Sequence, residues 1–133
     1  FIGKYCNSRD ALIGTNAVMT AFRTGRAAIS NEDADTKDAQ VTEIRDYLEE
    51  VFAGTALHYL NAAKADIADH ALRNHTLSEA IAFIRSLKYN PTARISPAQI
   101  DSLLDHIGEN LYQVSLTGIN AARDELSYLY THF

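Results

Sequence analysis

Apolar residues recur along this chain at spacings of three, four and seven, the pattern of one face of an amphipathic helix. Five helices follow from it. The first covers residues 8–29 behind an Asn7 or Ser8 cap, with Leu12, Thr15, Val18, Met19, Phe22, Gly25 and Ile29 as its buried face. Residues 1–7 read as an extended lead-in. Gly14 and Gly25 each cost roughly 1 kcal/mol of helix propensity against Ala, and their size lets a neighbouring helix come close.

Residues 31–36, NEDADT, form an acidic loop whose carboxylates suit the positive end of the next helix. They lack the twelve-residue spacing, central Gly and final Glu of a calcium loop. The second helix, residues 35–65, carries Val41, Ile44, Leu48, Val51, Phe52, Thr55, Tyr59 and Ala62 as a stripe. Beyond Gly54, Leu57, Leu60 and Ile67 fall on the side that should meet water, so this stretch is apolar on two faces and predicts an interaction face there.

Asp66 and Asp69 are placed to cap a third helix over residues 70–87, with Leu72, Leu77, Ala80, Ile81, Phe83, Ile84 and Leu87 inward and Asn74, Ser78 and Arg85 outward. Asn90-Pro91 then breaks the pattern. Ser96-Pro97-Ala98-Gln99 is a capping-box start for a short fourth helix carrying Ile100, Leu103, Leu104 and Ile107, which Gly108 ends in the left-handed conformation. A fifth helix begins after Ser115 and buries Ile119, Ala122, Leu126, Leu129, Tyr130 and Phe133. The sum is an all-α chain: a single domain over residues 1–133, folded as an antiparallel up-and-down bundle of four main helices plus a short crossover helix.

Composition narrows the function. A net charge of −5 argues against a nucleic-acid partner, which needs clustered Lys and Arg to displace counterions; Arg23 and Arg26 read as a solvated face. The single cysteine, Cys6, excludes an internal disulfide and a thiolate zinc site built from this chain alone. No apolar run approaches 18 residues, so no transmembrane segment is expected. The opening Phe1-Ile2-Gly3-Lys4-Tyr5, without Met, reads as mid-protein sequence, a fragment or C-terminal half of a longer protein.

His75 and Glu79 stand four apart on one helical face, where an imidazole and a carboxylate can share a metal or a proton, and His58 on the preceding helix can join them. Iron or zinc suits such a set. The competing reading is a half-exposed, mutually satisfied pair, with no cofactor at all. Asp101, Asp105, His106 and Glu109 spread around a solvent face, and the tyrosines Tyr47, Tyr59, Tyr89, Tyr112, Tyr128 and Tyr130 read as edges of a core. No Ser-His-Asp set, glycine-rich phosphate loop or His-Glu-x-x-His motif is present.

The segments GKYCNSRDALIGTNAVMTAFRTGRAAISN, ALHYLNAAKADIADHALRNHTLSEAIAFIRSLKYNP, ISPAQIDSLL and INAARD resemble the C-terminal half of an uncharacterised family of bacterial cell-envelope lipoproteins, distantly similar to imelysin. The resemblance implies an envelope location, a lipid anchor upstream, and an N-terminal helical half that packs on Leu57, Leu60 and Ile67. Imelysin-like proteins carry a Gly-x-His-x-x-Glu motif linked to metal and to iron uptake or peptidase activity. Here Gly54 and His58 are too far apart, and His75 to Glu79 is one residue too long, so the resemblance transfers neither property to any residue. The expected function is a non-catalytic interaction or ligand-binding domain, with metal binding as the alternative and peptidase activity a distant third.

Overall fold

The computed structural model describes residues 2–14 and 16–131. Among the described residues the chain is all-helical, without a strand. Its elements are α1 (Ile2–Ser8), α2 (Asp10–Ile13), α3 (Ala17–Ser30), α4 (Ala34–Ala65), α5 (His70–Ser86), α6 (Pro97–Ile107) and α7 (Leu116–Leu129), with short 3-10 turns at Leu87–Tyr89 and Leu111–Gln113. They form two compact units, residues 1–51 and 52–133.

In the first unit the expected lead-in is helical, and the expected first helix is two. Asp10 explains the break. Its carboxylate accepts the Asn16 backbone N–H at 3.1 Å while its carbonyl accepts that of Gly14 at 2.9 Å, so the chain turns back on the end of α2. Gly14 and Asn16 take φ of 90° and 59°, a region open to Gly and tolerated by Asn. Thr15, expected in the buried stripe, lies outside the described residues.

The buried face of α3 also differs from expectation. Val18, Ala21, Gly25 and Ala28 are buried, whereas Met19, Phe22 and Ile29 are 52%, 53% and 65% exposed. Close approach decides between these stripes. A Cβ on Gly25 would stand only 3.3 Å from Cβ of Gln40 on α4, so α3 seats its smallest residues there and turns its largest outward.

Asp33 caps α4, accepting the Thr36 hydroxyl at 2.6 Å and the Thr36 backbone N–H at 3.0 Å. The hydroxyl bond first, then the backbone bond, holds its carboxyl below the ordinary aspartate value. A depressed carboxyl contributes stability that is complete above the ordinary value of 3.8 and lost as pH falls through the folded value. Carbon-detected NMR titration should therefore find Asp33 titrating below a free aspartate, and Thr36→Val should bring it back toward 3.8. An unshifted midpoint in the native protein would remove the cap.

In the second unit the remainder of α4 buries Ala53, Thr55, Ala56, Leu60 and Ala63. The second apolar face expected at Leu57, Leu60 and Ile67 is not open surface: Leu60 is fully buried, and Leu57 and Ile67 are half-buried. Phe83 of α5 sits against the rings of Phe52 and Tyr59, at 5.8 and 5.9 Å between centroids, and aromatic contact of this kind adds to the area buried.

Along α5, Leu77, Ala80, Phe83 and Ile84 are buried as expected, with Leu87 just beyond. Leu72 is instead 53% exposed, and Arg73 is buried in its stead. Asp69 caps the helix by accepting the N–H groups of Ala71 and Leu72. The capping box opening α6 is complete, Ser96 and Gln99 each accepting the other's backbone N–H. Gly108 has φ of 80°, but its ψ of 166° is extended rather than left-handed helical. Ser115 caps α7, which buries Ile119, Ala122 and Leu126, with Tyr130 buried just past its end and Leu129 half-buried; Phe133 lies outside the described residues.

Candidate functional site

A polar group that the fold assembles from separate helices lies between α6 and α7. Ser102 and His106 stand four apart on α6 and so share a face; Glu125 reaches both from α7. The Ser102 hydroxyl donates to Oε2 of Glu125 at 3.0 Å, and His106 Nε2 lies 2.9 Å from that same oxygen. A carboxylate only accepts, so the imidazole donates through Nε2.

This order of contacts limits the chemistry. Activating a serine requires the imidazole against the hydroxyl with the acid behind it. Here the acid stands in the middle, so the hydroxyl donates to the carboxylate and no imidazole faces the serine. The arrangement clamps two helices. Replacing Glu125 by Ala removes both bonds and leaves half-buried Ser102 without its acceptor, at a cost of about 1–2 kcal/mol, measurable by urea denaturation.

Backbone packing is as close as side-chain packing at this junction. Gly118 of α7 faces the His106 carbonyl oxygen so tightly that a Cβ would overlap it. His106 meets Gly118 early in α7 while Ser102 meets Glu125 late in it, the pairing of antiparallel neighbours.

Beside this clamp, an open groove of about 450 Å³ is lined by Ile81 and Arg85 of α5 and by Asp101, Leu104, Asp105 and Glu109 on or just past α6. Three carboxylates and one guanidinium are among its lining groups. Among the described residues no three His, Cys, Asp or Glu side chains gather closely enough to hold a metal ion.

His58, His75 and Glu79 are accordingly not brought together as a three-residue ligand set. His58 and His75 are exposed, Glu79 is half-buried, and the His58 ring stands edge-on to its neighbour Tyr59 with centroids 5.4 Å apart. Tyr112, exposed, meets the ring of His70 at 6.2 Å, and Tyr89 and Tyr128 are also exposed; Tyr59 and Tyr130 belong to the packed interior and its edge. Burial raises the Cys6 thiol above its ordinary value, which keeps it protonated and a weak nucleophile at neutral pH.

Two features escape the residue pattern. Glu125 is tied to Ser102 and His106 across 23 and 19 residues, and only the pairing of α6 with α7 reveals it. The second is the outward stripe of α3. Its signal is present at Ala21, Gly25 and Ala28, a run of small residues parallel to the large ones and able to claim the core instead.

A protein family described as a domain of unknown function, DUF4856, matches residues 1–124, and the chain belongs to that family. No curated protein and no solved structure matches it. Among the described residues, no helix is long and apolar enough to cross a membrane.

Proposed function

We propose that this member of the DUF4856 family is a non-catalytic interaction domain of a bacterial envelope lipoprotein, an antiparallel helical bundle that binds a second protein through the outward face of α3. The observation that carries the reading is the stripe Met19, Phe22 and Ile29, three large apolar side chains each more than half exposed on one helix face. Exposed apolar surface costs solubility, and a contiguous patch of it is characteristic of a surface that is covered in use. The stripe is also concentrated. Exposed large apolar residues of the first unit are Ile2, Met19, Phe22, Ile29 and Val41, whereas three of the five in the second unit are tyrosines, whose hydroxyls suit water.

The envelope location and the lipid anchor rest on the resemblance in the segments quoted above. The upstream helical half it implies would meet Leu57 and Ile67, the half-buried members of the expected interaction face. The α3 stripe, which contains none of these residues, is the face assigned to a separate partner.

A photo-crosslinking amino acid at position 22, in the protein expressed in the cell that makes it, tests the reading. A discrete heavier species at position 22, absent when the same group stands at exposed Tyr128, is expected. No discrete species at positions 19, 22 or 29 would remove α3 as a docking face.

A further inference from the structure

The outward face of α3 carries basic as well as apolar residues, although the first unit as a whole is acidic and Glu32 and Asp33 lie beside Ile29 at its far end. Residues 1–30 hold Lys4, Arg9, Arg23 and Arg26 against Asp10 alone, a net +3 in a chain whose total is −5. Arg26 stands within the exposed stripe, one turn from Phe22 and one from Ile29, and Arg23 borders it; both arginines are exposed, and α3 contains no acidic residue. Beside the stripe runs a concave cleft of about 450 Å³ between α3 and the α1–α2 pair, lined by Ile2, Ile13, Val18, Met19 and Phe22 with Arg23 among its wall residues.

Resting on the docking reading above, we infer that the occupant of this cleft and stripe is an amphipathic helix of a separate protein, with carboxylates bordering its apolar face. The cleft takes the apolar ridge of such a helix, the mode in which side chains one and two turns apart anchor in a groove. Arg23 and Arg26 then meet its flanking Asp or Glu and fix orientation and register. A second copy of this chain is disfavoured, because matching α3 to itself brings the arginines together and neither α3 carries an acid to meet them. A lipid surface suits a broad, continuous apolar face; here the apolar residues of the cleft are interleaved with the polar residues Asn7, Asp10 and Asn16.

Two synthetic helical peptides test this, sharing one leucine stripe and differing only in whether Glu or Lys flanks it. Binding to the full chain is read by fluorescence anisotropy, beside sedimentation of the protein alone and of the protein with phosphatidylglycerol vesicles. The Glu-flanked peptide should bind about tenfold or more tightly than the Lys-flanked one, and the preference should shrink as salt rises. Phe22→Ser should weaken both peptides; Arg23→Glu with Arg26→Glu should invert the preference. All three positions are exposed, so the variants keep the fold, and circular dichroism verifies it. Equal affinity for the two peptides overturns the acidic partner while leaving α3 as a docking face. Binding of neither peptide, self-association that Phe22→Ser abolishes, or binding to vesicles alone each overturns the inference.

Discussion

Gly118→Ala is expected to destabilise the protein by about 2–3 kcal/mol, the range of an overpacked core position, although alanine is the better helix former by roughly 1 kcal/mol. The two effects oppose each other, and geometry decides. A methyl group at this position would overlap the carbonyl oxygen of His106, which is backbone near the end of α6 and has no rotamer to move. Relief requires α7 to move away from α6, and that movement lengthens the Ser102 and His106 bonds to Glu125. Urea denaturation measures the loss, and the chemical shifts of Ser102 and His106 report the separation. A variant stabilised by the propensity gain would show that the helices stand further apart than described.

Arg73→Leu is expected to cost about 3 kcal/mol, since it removes a buried charged donor and strands the half-buried acceptors that it satisfies. Arg73 is 3% exposed, and each of its three side-chain nitrogens donates. Nη1 donates to the Ile67 carbonyl at 3.1 Å, Nη2 to the Leu111 carbonyl at 2.9 Å, and Nε and Nη2 both to the Asn74 side chain. One planar group therefore fastens the turn before α5 to the 3-10 turn before α7. Leucine matches the size of the stem but leaves both carbonyls unpaired. Lysine keeps the charge and loses the fork, so Arg73→Lys should recover less than half of the stability. Chemical denaturation of both variants separates charge from geometry. Equal stability of Arg73→Lys and the native protein would mean that charge alone matters at this site.

These sites also show where the residue pattern informs and where it stops. Caps are legible because they are settled within three residues: Ser96 with Gln99, Asp69 with Leu72 and Ser115 with Gly118 all close locally, whatever the rest of the chain does. Leu77, Ile84 and Leu126 are legible as core for a similar reason, since one helical face is clearly more apolar than the other. The face of α3 is not. Its two candidate stripes lie side by side, and choosing between them depends on how closely α4 approaches, a distance set by Gly25 and Gln40 across a loop. Leu72 and Arg73 exchange roles because hydrophobicity ranks leucine inward, while the carbonyls of Ile67 and Leu111 converge on the neighbouring position. Glu125 is invisible for the same reason: its partners are distant in sequence, and pairing of α6 with α7 is a property of the tertiary structure.

The bond from Arg73 to Leu111 spans 38 residues. In kinetic terms such a contact comes late, because α5, α6 and the connector must already be in place before the guanidinium finds its second carbonyl. Its energy therefore belongs to the native state more than to the folding transition state. Removing it should leave the folding rate nearly unchanged and hasten unfolding, so that a chevron plot shifts mainly on its unfolding arm. Arg73 would then act as a latch on the folded state, lengthening its lifetime without speeding its formation.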